Sequence, residues 1–181
     1  MLKINAEDYA IIYDTREQDI FIPQILCKNG IQTIRRKLDT GDYMIQYKDG
    51  YIPPVVVERK SCINELIGNL LDNRKDEQGL NRFQRELERS KQQGLKVYLL
   101  IQDKDYYLKL LTGDYRSKVN SKAITGMVVS LLAKYDNLHI IAVDRKESAS
   151  MVHKLLYYEL REDLKKLEQG GNRYDRNMET S

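Results

Sequence analysis

Apolar and polar positions fall into blocks along the chain, and the spacing inside each block predicts an element. Tyr9 to Tyr13 (YAIIY) is an apolar run ending at Asp14 and reads as a buried strand. A helix is predicted from Glu17 to Lys28, interrupted near Pro23 and stopped by Asn29-Gly30. Ile31 to Leu38 follows as a second strand. Asp42–Tyr47 and Val55–Lys60 predict a hairpin about Asp49-Gly50, with Pro53-Pro54 making the return strand irregular. Leu66, Ile67, Leu70 and Leu71 mark a short helix, and Leu80, Phe83 and Leu87 a second one that stops at Gly94. Val97 to Ile101 (VYLLI) is apolar throughout, as a strand covered on both faces should be. Ile124, Met127, Val128, Leu131, Leu132 and Tyr135 share one helical stripe, Leu138 to Val143 returns as a strand, and Val152, Leu155, Leu156, Leu160, Leu164 and Leu167 mark a last long helix. This order predicts an α/β domain with a mixed central sheet flanked by helices. There is no internal repeat or proline-rich linker, so residues 1–168 read as a single domain. The polar, glycine-punctuated stretch 169–181 reads as a flexible tail.

Composition adds limits. A chain of 181 residues and 21.3 kDa can enclose one full core and is short for two. Its formal net charge of +3 does not by itself require a nucleic-acid partner, which must be argued from where the charges sit. Cys27 and Cys62 lack zinc-type spacing, so reduced thiols are expected. No apolar run approaches the roughly 20 residues that span a bilayer, so no membrane partner is expected. Met1 to Asp8 is polar and resembles neither a signal nor a transit peptide.

The chemistry concentrates in Gly41-Asp42-Tyr43 and Val55-Val56-Val57-Glu58-Arg59-Lys60-Ser61. A turn centred on Asp49-Gly50 sets Asp42 against position 57 or its neighbour Glu58. Facing side chains then have Cβ atoms about 4.5–5.5 Å apart. Two carboxylates at that separation repel, and a cation between them relieves the repulsion. Oxygen ligands suit Mg²⁺ or Mn²⁺. Alternation along the strand sends Glu58 and Lys60 to one face and Arg59 to the other. Lys60 thus points to where an attacking water would sit, an arrangement suited to phosphodiester hydrolysis. Taken without Asp42 and the apolar lead-in, Glu-Arg-Lys would read as no more than a charged strand end.

At these residues the chain resembles the XPF/Hef/Mus-type structure-specific endonucleases, a branch of the PD-(D/E)xK nuclease superfamily. That family's pattern is Gly-Asp, a variable gap, Glu-Arg-Lys, three residues and Asp. Tyr13-Asp14-Thr15-Arg16-Glu17 is similar to its upstream segment, while Arg82-Phe83-Gln84 and Val97–Ile101 fall where it has a helix and a core strand. The rest of the chain looks like small stand-alone proteins of this type encoded by bacteriophages. The resemblance implies a restriction-endonuclease-like fold, a divalent cation, cleavage of branched or flapped DNA, a homodimer, and a cytoplasmic setting in a bacterium or phage-infected cell. By motif position it implies Asp42 and Glu58 as metal ligands and Lys60 as the group assisting the water. Asp14 and Glu17 become accessory acids, Asp14 also a metal ligand, and Arg16 and Arg59 phosphate contacts or braces. The motif's final Asp is Asn64 here, with Glu65 beside it, and the family's helix-hairpin-helix and helicase domains are absent from this sequence.

Arg82, Arg85 and Arg89 recur at helical spacing and read either as a track of phosphate contacts or, with Glu86 and Glu88 interleaved, as a salt-bridged solvent face. Arg116 and Lys118, in a polar loop before a helix, are further candidates for DNA. His139 and His153 read as structural residues. Two rival readings use the same residues: a nuclease fold that binds DNA or a protein without cutting, and a junction resolvase or restriction-like enzyme of the same superfamily.

Overall fold

A computed structural model describes residues 4–178, with side chains in the last helix described up to position 169. Six strands form one sheet in the order β2-β1-β3-β4-β5-β6. The strands are β1 (Tyr9–Tyr13), β2 (Thr33–Arg35), β3 (Tyr43–Tyr47), β4 (Val55–Lys60), β5 (Lys96–Ile101) and β6 (Leu138–Ala142). The helices are α1 (Phe21–Lys28), α2 (Ile63–Leu70), α3 (Arg82–Gln92), α4 (Tyr106–Thr112), α5 (Ser121–Lys134) and α6 (Ser148–Met178). β1 runs parallel to β2 and antiparallel to β3, β3 is antiparallel to β4, and β4, β5 and β6 are parallel. The sheet is therefore mixed, as the pattern predicts.

Each face of the sheet has its own core. Val56, Val97, Leu99 and Ile101 pack against α2, α3, α4 and α5. Tyr43, Ile45, Val55, Val57 and Leu100 pack against α1 and α6, to which α6 contributes Ala149, Val152, Leu156 and Leu160 at helical spacing. Helices on both faces explain why VVV in β4 and VYLLI in β5 carry almost no polar side chain. The expected tail over 169–181 lies, for nearly all its side chains and its last three residues, outside the described residues, and the backbone is helical to Met178.

Three boundaries differ from the pattern, each for a physical reason. The helix expected from Glu17 starts at Phe21, because Asp14 to Asp19 forms a folded loop in which Glu17 N donates to Asp14 O and Asp19 N to Glu17 Oε1. Pro23 lies in the first turn of α1, where its missing N–H costs no helical bond. The strand expected over Ile31–Leu38 is paired only at Thr33–Arg35, because the chain then turns so that Leu38 N can donate to Asp14 Oδ2. Helix α4 is not foreseen by the pattern.

The hairpin from β3 to β4 is closed at both ends and open between. Tyr47 N donates to Tyr51 O at the turn, whereas Tyr43 pairs with Val57 at the far end. Between these contacts, the Pro53-Pro54 segment slips the return strand by two residues. An even slip keeps each side chain on its face. It carries the register from one that would oppose Tyr43 to Val55 to one that opposes it to Val57.

Gly41 makes the closed end possible. Its φ is +75°, and a Cβ there would stand 2.8 Å from Val56 Cβ and 3.3 Å from Val57 O. Gly41→Ala should destabilise the domain by about 1–3 kcal/mol through positive φ and overpacking together. Urea unfolding monitored by circular dichroism checks this, and a wild-type midpoint would show that the close approach is not needed.

Candidate active site

The closed end of the hairpin brings Asp42, Glu58 and Lys60 together. Asp42 N donates to Val57 O at 2.8 Å, and Asp42 Oδ2 accepts from Arg59 N at 2.8 Å, so the carboxylate is held at the edge of β4. Glu58 and Lys60 follow Val56 onto the face covered by α2–α5. Lys60 Nζ donates to Glu58 Oε1 at 2.7 Å, lies 3.9 Å from Glu65 Oε1 and stands 5.4 Å from the centre of the Phe83 ring. These groups line a pocket of about 320 Å³ that is also bordered by Arg16, Arg74 and Arg82.

Burial and mutual charge set the protonation of the site. Burial first, then the charge of Glu58, push the Asp42 carboxyl up to about 7. Burial likewise raises Glu58, against the pull of Lys60. Burial works against the charge on Lys60, but Glu58, Glu65 and Asp42 together outweigh it and hold the ammonium protonated. Lys60 is thus the fixed charge, and the two carboxyls are the groups that titrate.

The donor set fits a hard divalent cation. Among the described residues Asp42 Oδ1 and Glu58 Oε2 have no hydrogen-bond donor, while the second oxygen of each acid is already engaged. Among the described residues no three His, Cys, Asp or Glu side chains cluster for metal ligation. Mg²⁺ commonly keeps several waters and is held by one or two carboxylates with substrate phosphate, so a two-acid site is sufficient for it.

The opposite face of β4 carries a brace. Arg59 Nε and Nη2 bind Glu17 at 2.7 and 2.9 Å, and Arg59 Nη1 donates to Gln102 Oε1 at 3.1 Å. Tyr43 OH donates to Glu17 Oε2, and Gln102 Nε2 to Ser148 Oγ, which ties the end of β4 to β3, β5 and α6.

The fold gives the remaining motif residues different surroundings. Glu17, expected as an accessory acid near the metal, lines the pocket, with its oxygens engaged by Arg59, Tyr43 and the Asp19 backbone. Asp14, expected as a metal ligand, does not line the pocket. It accepts from Arg16 N, Arg16 Nε, Arg16 Nη2 and Leu38 N, which together outweigh burial and hold its carboxyl at about 2. Its work is to fix the Arg16 guanidinium beside the pocket. Arg59 borders the same pocket and gives its Nε, Nη1 and Nη2 to Glu17 and Gln102.

Arg82, Arg85 and Arg89 line a groove of about 430 Å³ that shares Arg16, Asp42, Glu58 and Glu86 with the pocket. The interleaved Glu88 turns away to Lys134 and Tyr135 on α5, while Glu86 pairs with Arg82. Arg116 and Lys118 are exposed and border neither cavity. Asn64 Oδ1 accepts from Arg116 N at 2.8 Å, so it ties α2 to the loop before α5, and Glu65 stands in the pocket instead. His153 bonds Tyr9 OH and His139 packs against Tyr98, both away from the site. Cys27 and Cys62 are free thiols. Gln102 and Asp72 were not singled out from sequence. The signal for Gln102 was a polar residue at the carboxyl end of a buried parallel strand beside β4, where α/β sheets place their sites.

Because Asp42 binds its proton more tightly in the folded chain than at its ordinary 3.8, its contribution is favourable at low pH and is lost as pH rises towards about 7. Asp42→Asn removes the charge and keeps an acceptor for Arg59 N. In chelator-containing buffer it should raise the melting temperature by a few degrees at pH 8 and leave it near wild type at pH 4. Equal melting at pH 8 would show that the carboxylates do not repel.

Known proteins share this architecture. The ERCC4 domain family matches residues 13–155. Over 70 residues the chain is 40% identical to DNA repair protein RAD1 of Saccharomyces cerevisiae, a stretch that is 39% of this chain and 6% of that protein. XPF from Aeropyrum pernix superposes with a TM-score of 0.59 at 21% identity, over 84% of this chain and 68% of that one. Its complex with DNA gives 0.61 at 20% identity, over 84% and 65%. At such identities the likeness shows the fold, a restriction-endonuclease-like mixed sheet. No described helix is long and apolar enough to cross a membrane. The family match encloses Asp14–Glu17, Asp42 and Glu58–Lys60 in their expected order, and the chain belongs to the ERCC4 domain family, the XPF/Rad1 type of nuclease domain.

Proposed function

We propose that this chain is a divalent-metal-dependent endodeoxyribonuclease that hydrolyses phosphodiester bonds in branched or flapped DNA. The observation that carries this reading is the convergence of Asp42, Glu58 and Lys60 in an open polar pocket continuous with an arginine-lined groove. The likeness to a DNA repair protein and to a fold neighbour solved in complex with DNA supports it.

Mg²⁺ or Mn²⁺ held by Asp42 and Glu58 would polarise the phosphoryl group and lower the pKa of the attacking water. The remaining work falls to the chain. Lys60, kept charged by Glu58 and Glu65, orients the water by hydrogen bonding and offsets charge growing on the phosphate. The Arg59–Glu17–Gln102 brace holds the backbone from which Glu58 and Lys60 project. Arg16 and the α3 arginines take neighbouring phosphates, which sets position without reading sequence. Asn64 leaves no gap in this scheme, since its side chain serves the Arg116 backbone.

A second copy of the chain is the proposed protein partner, as the family resemblance implies. Tyr107, Leu108 and Leu111 on α4 and Met127, Val129 and Leu132 on α5 are exposed, and such concentrations of large apolar side chains mark interaction surfaces.

Asp42→Asn, Glu58→Gln and Lys60→Ala should each lower cleavage about 100-fold or more, with the circular dichroism spectrum and DNA affinity kept. Flap, fork, four-way junction, single-stranded and plain duplex DNA, each with and without Mn²⁺, give the assay. Full activity in Glu58→Gln or Lys60→Ala would sink the mechanism, and equal cutting of plain duplex would remove the preference for branches. Light scattering should find two chains per particle, and one chain after Leu108→Glu with Leu111→Glu; a monomeric wild type would refute the dimer.

A further inference from the structure

The pocket is bordered by two copies of the same small device. In Asp14-Thr15-Arg16, Asp14 Oδ1 accepts from Arg16 N at 2.6 Å and Arg16 Nε at 2.8 Å, while Asp14 Oδ2 accepts from Arg16 Nη2 at 3.0 Å. In Asp72-Asn73-Arg74, Asp72 Oδ1 accepts from Arg74 N at 3.1 Å and Arg74 Nε at 2.9 Å, while Asp72 Oδ2 accepts from Arg74 Nη2 at 3.1 Å. The first lies between β1 and α1, the second between α2 and α3, so the two are unrelated in the chain and alike in geometry. In both, the aspartate occupies Nε and Nη2, and Nη1 has no hydrogen-bond partner among the described residues; Arg16 Nη2 also donates to Leu38 O, and the Arg74 side chain is 90% exposed.

The connection that carries Arg74 is itself held in shape. Asp76 Oδ1 accepts from Gln78 N and Leu80 N, and Asp76 N donates to Leu80 O. Asn81 Nδ2 donates to Asn69 O and Arg85 Nη1 to Leu80 O, which fastens the segment to α2 and α3. An ion pair this exposed adds little to stability, so what Asp72 supplies is orientation. A planar guanidinium fixed in advance loses less freedom when it meets a phosphate.

The lining residues give the direction of a strand. Arg85 and Arg89 border the groove only, Arg16 and Arg82 border both groove and pocket, and Arg74 with Asn69 borders the pocket only. We propose that Arg74, oriented by Asp72, is a second phosphate clamp, which holds the DNA strand where it leaves the pocket on the side away from the α3 groove. A strand would then run past Arg89 and Arg85, between Arg82 and Arg16, over the acids, and out under Arg74. This deepens the nuclease reading by making the α2–α3 connection a determinant of how much strand must lie beyond the pocket. Arg74 is a binding residue and Asp72 a positioning residue.

The test measures binding, so it does not depend on cleavage. The whole chain is titrated by anisotropy with a flap oligonucleotide in which one phosphate at a time is replaced by an uncharged methylphosphonate, in wild type, Arg74→Ala, Arg74→Lys, Asp72→Ala, Arg89→Ala and Arg16→Ala. Arg74→Ala should weaken binding about 5- to 10-fold, reduce the salt slope by about one, and become insensitive to one phosphate. That phosphate should lie on the other side of the Arg16-sensitive one from the Arg89-sensitive one. Asp72→Ala should weaken the effect at the same phosphate, and Arg74→Lys should not restore it. Wild-type affinity in Arg74→Ala, a phosphate shared with Arg89, or no DNA binding by the wild type would overturn the clamp. Loss of cleavage with the footprint intact would overturn only the nuclease reading.

Discussion

The site depends on one close backbone approach, that of Gly41-Asp42 to β4. Asp42 N bonds Val57 O and Asp42 Oδ2 receives Arg59 N, so the acid is set by two short contacts to the strand that carries its partners. Without a Cβ at position 41, the chain can come near enough to Val56 for both bonds to form. The even slip at Pro53-Pro54 then pairs Tyr43 with Val57, which brings Asp42 beside the end of β4, and keeps every β4 side chain on its proper face.

From that contact, alternation along β4 divides labour between two faces. Glu58 and Lys60 point into the pocket, and Arg59, at its border, gives its donors to Glu17 and Gln102. A guanidinium this well matched to a carboxylate is rigid, and its rigidity passes through the β4 backbone to the residues either side of it. The reacting face is the less comfortable one. Two carboxyls with raised proton affinity, partly balanced by one ammonium, store a repulsion that a cation can relieve. Acids on the bracing side are satisfied, and those in the pocket keep an oxygen in reserve.

The same distinction separates the arginines. Arg59 is half-buried with all three of its side-chain nitrogens engaged, whereas Arg16 and Arg74 are exposed, each with one end of its fork fixed by an aspartate two residues earlier. Burial and completeness of pairing mark a brace; partial pairing at the edge of a cavity marks a group kept ready for an anion. Both uses begin from the same residue type, so sequence alone does not tell them apart.

Much of the frame was legible from local patterns. The apolar runs of β1, β4 and β5, the stripes of α5 and α6, and the alternation that puts Glu58 and Lys60 on one face all follow from periods of two and 3.6 residues. Gly41-Asp42 with Glu58-Arg59-Lys60 pointed to the family because the motif residues lie on adjacent strands. Which carboxylates stay free was decided only in three dimensions. Asp14 and Glu17 look alike as acids in the sequence, and in the fold their oxygens are taken by Arg16 beside them and by Leu38, Arg59 and Tyr43 from other segments. Helix α4 and the short pairing of β2 likewise depend on neighbours distant in the chain. Side-chain direction is a local property of the backbone and can be read along the sequence, whereas the partner that satisfies a charge is chosen by packing, which only the folded chain brings about.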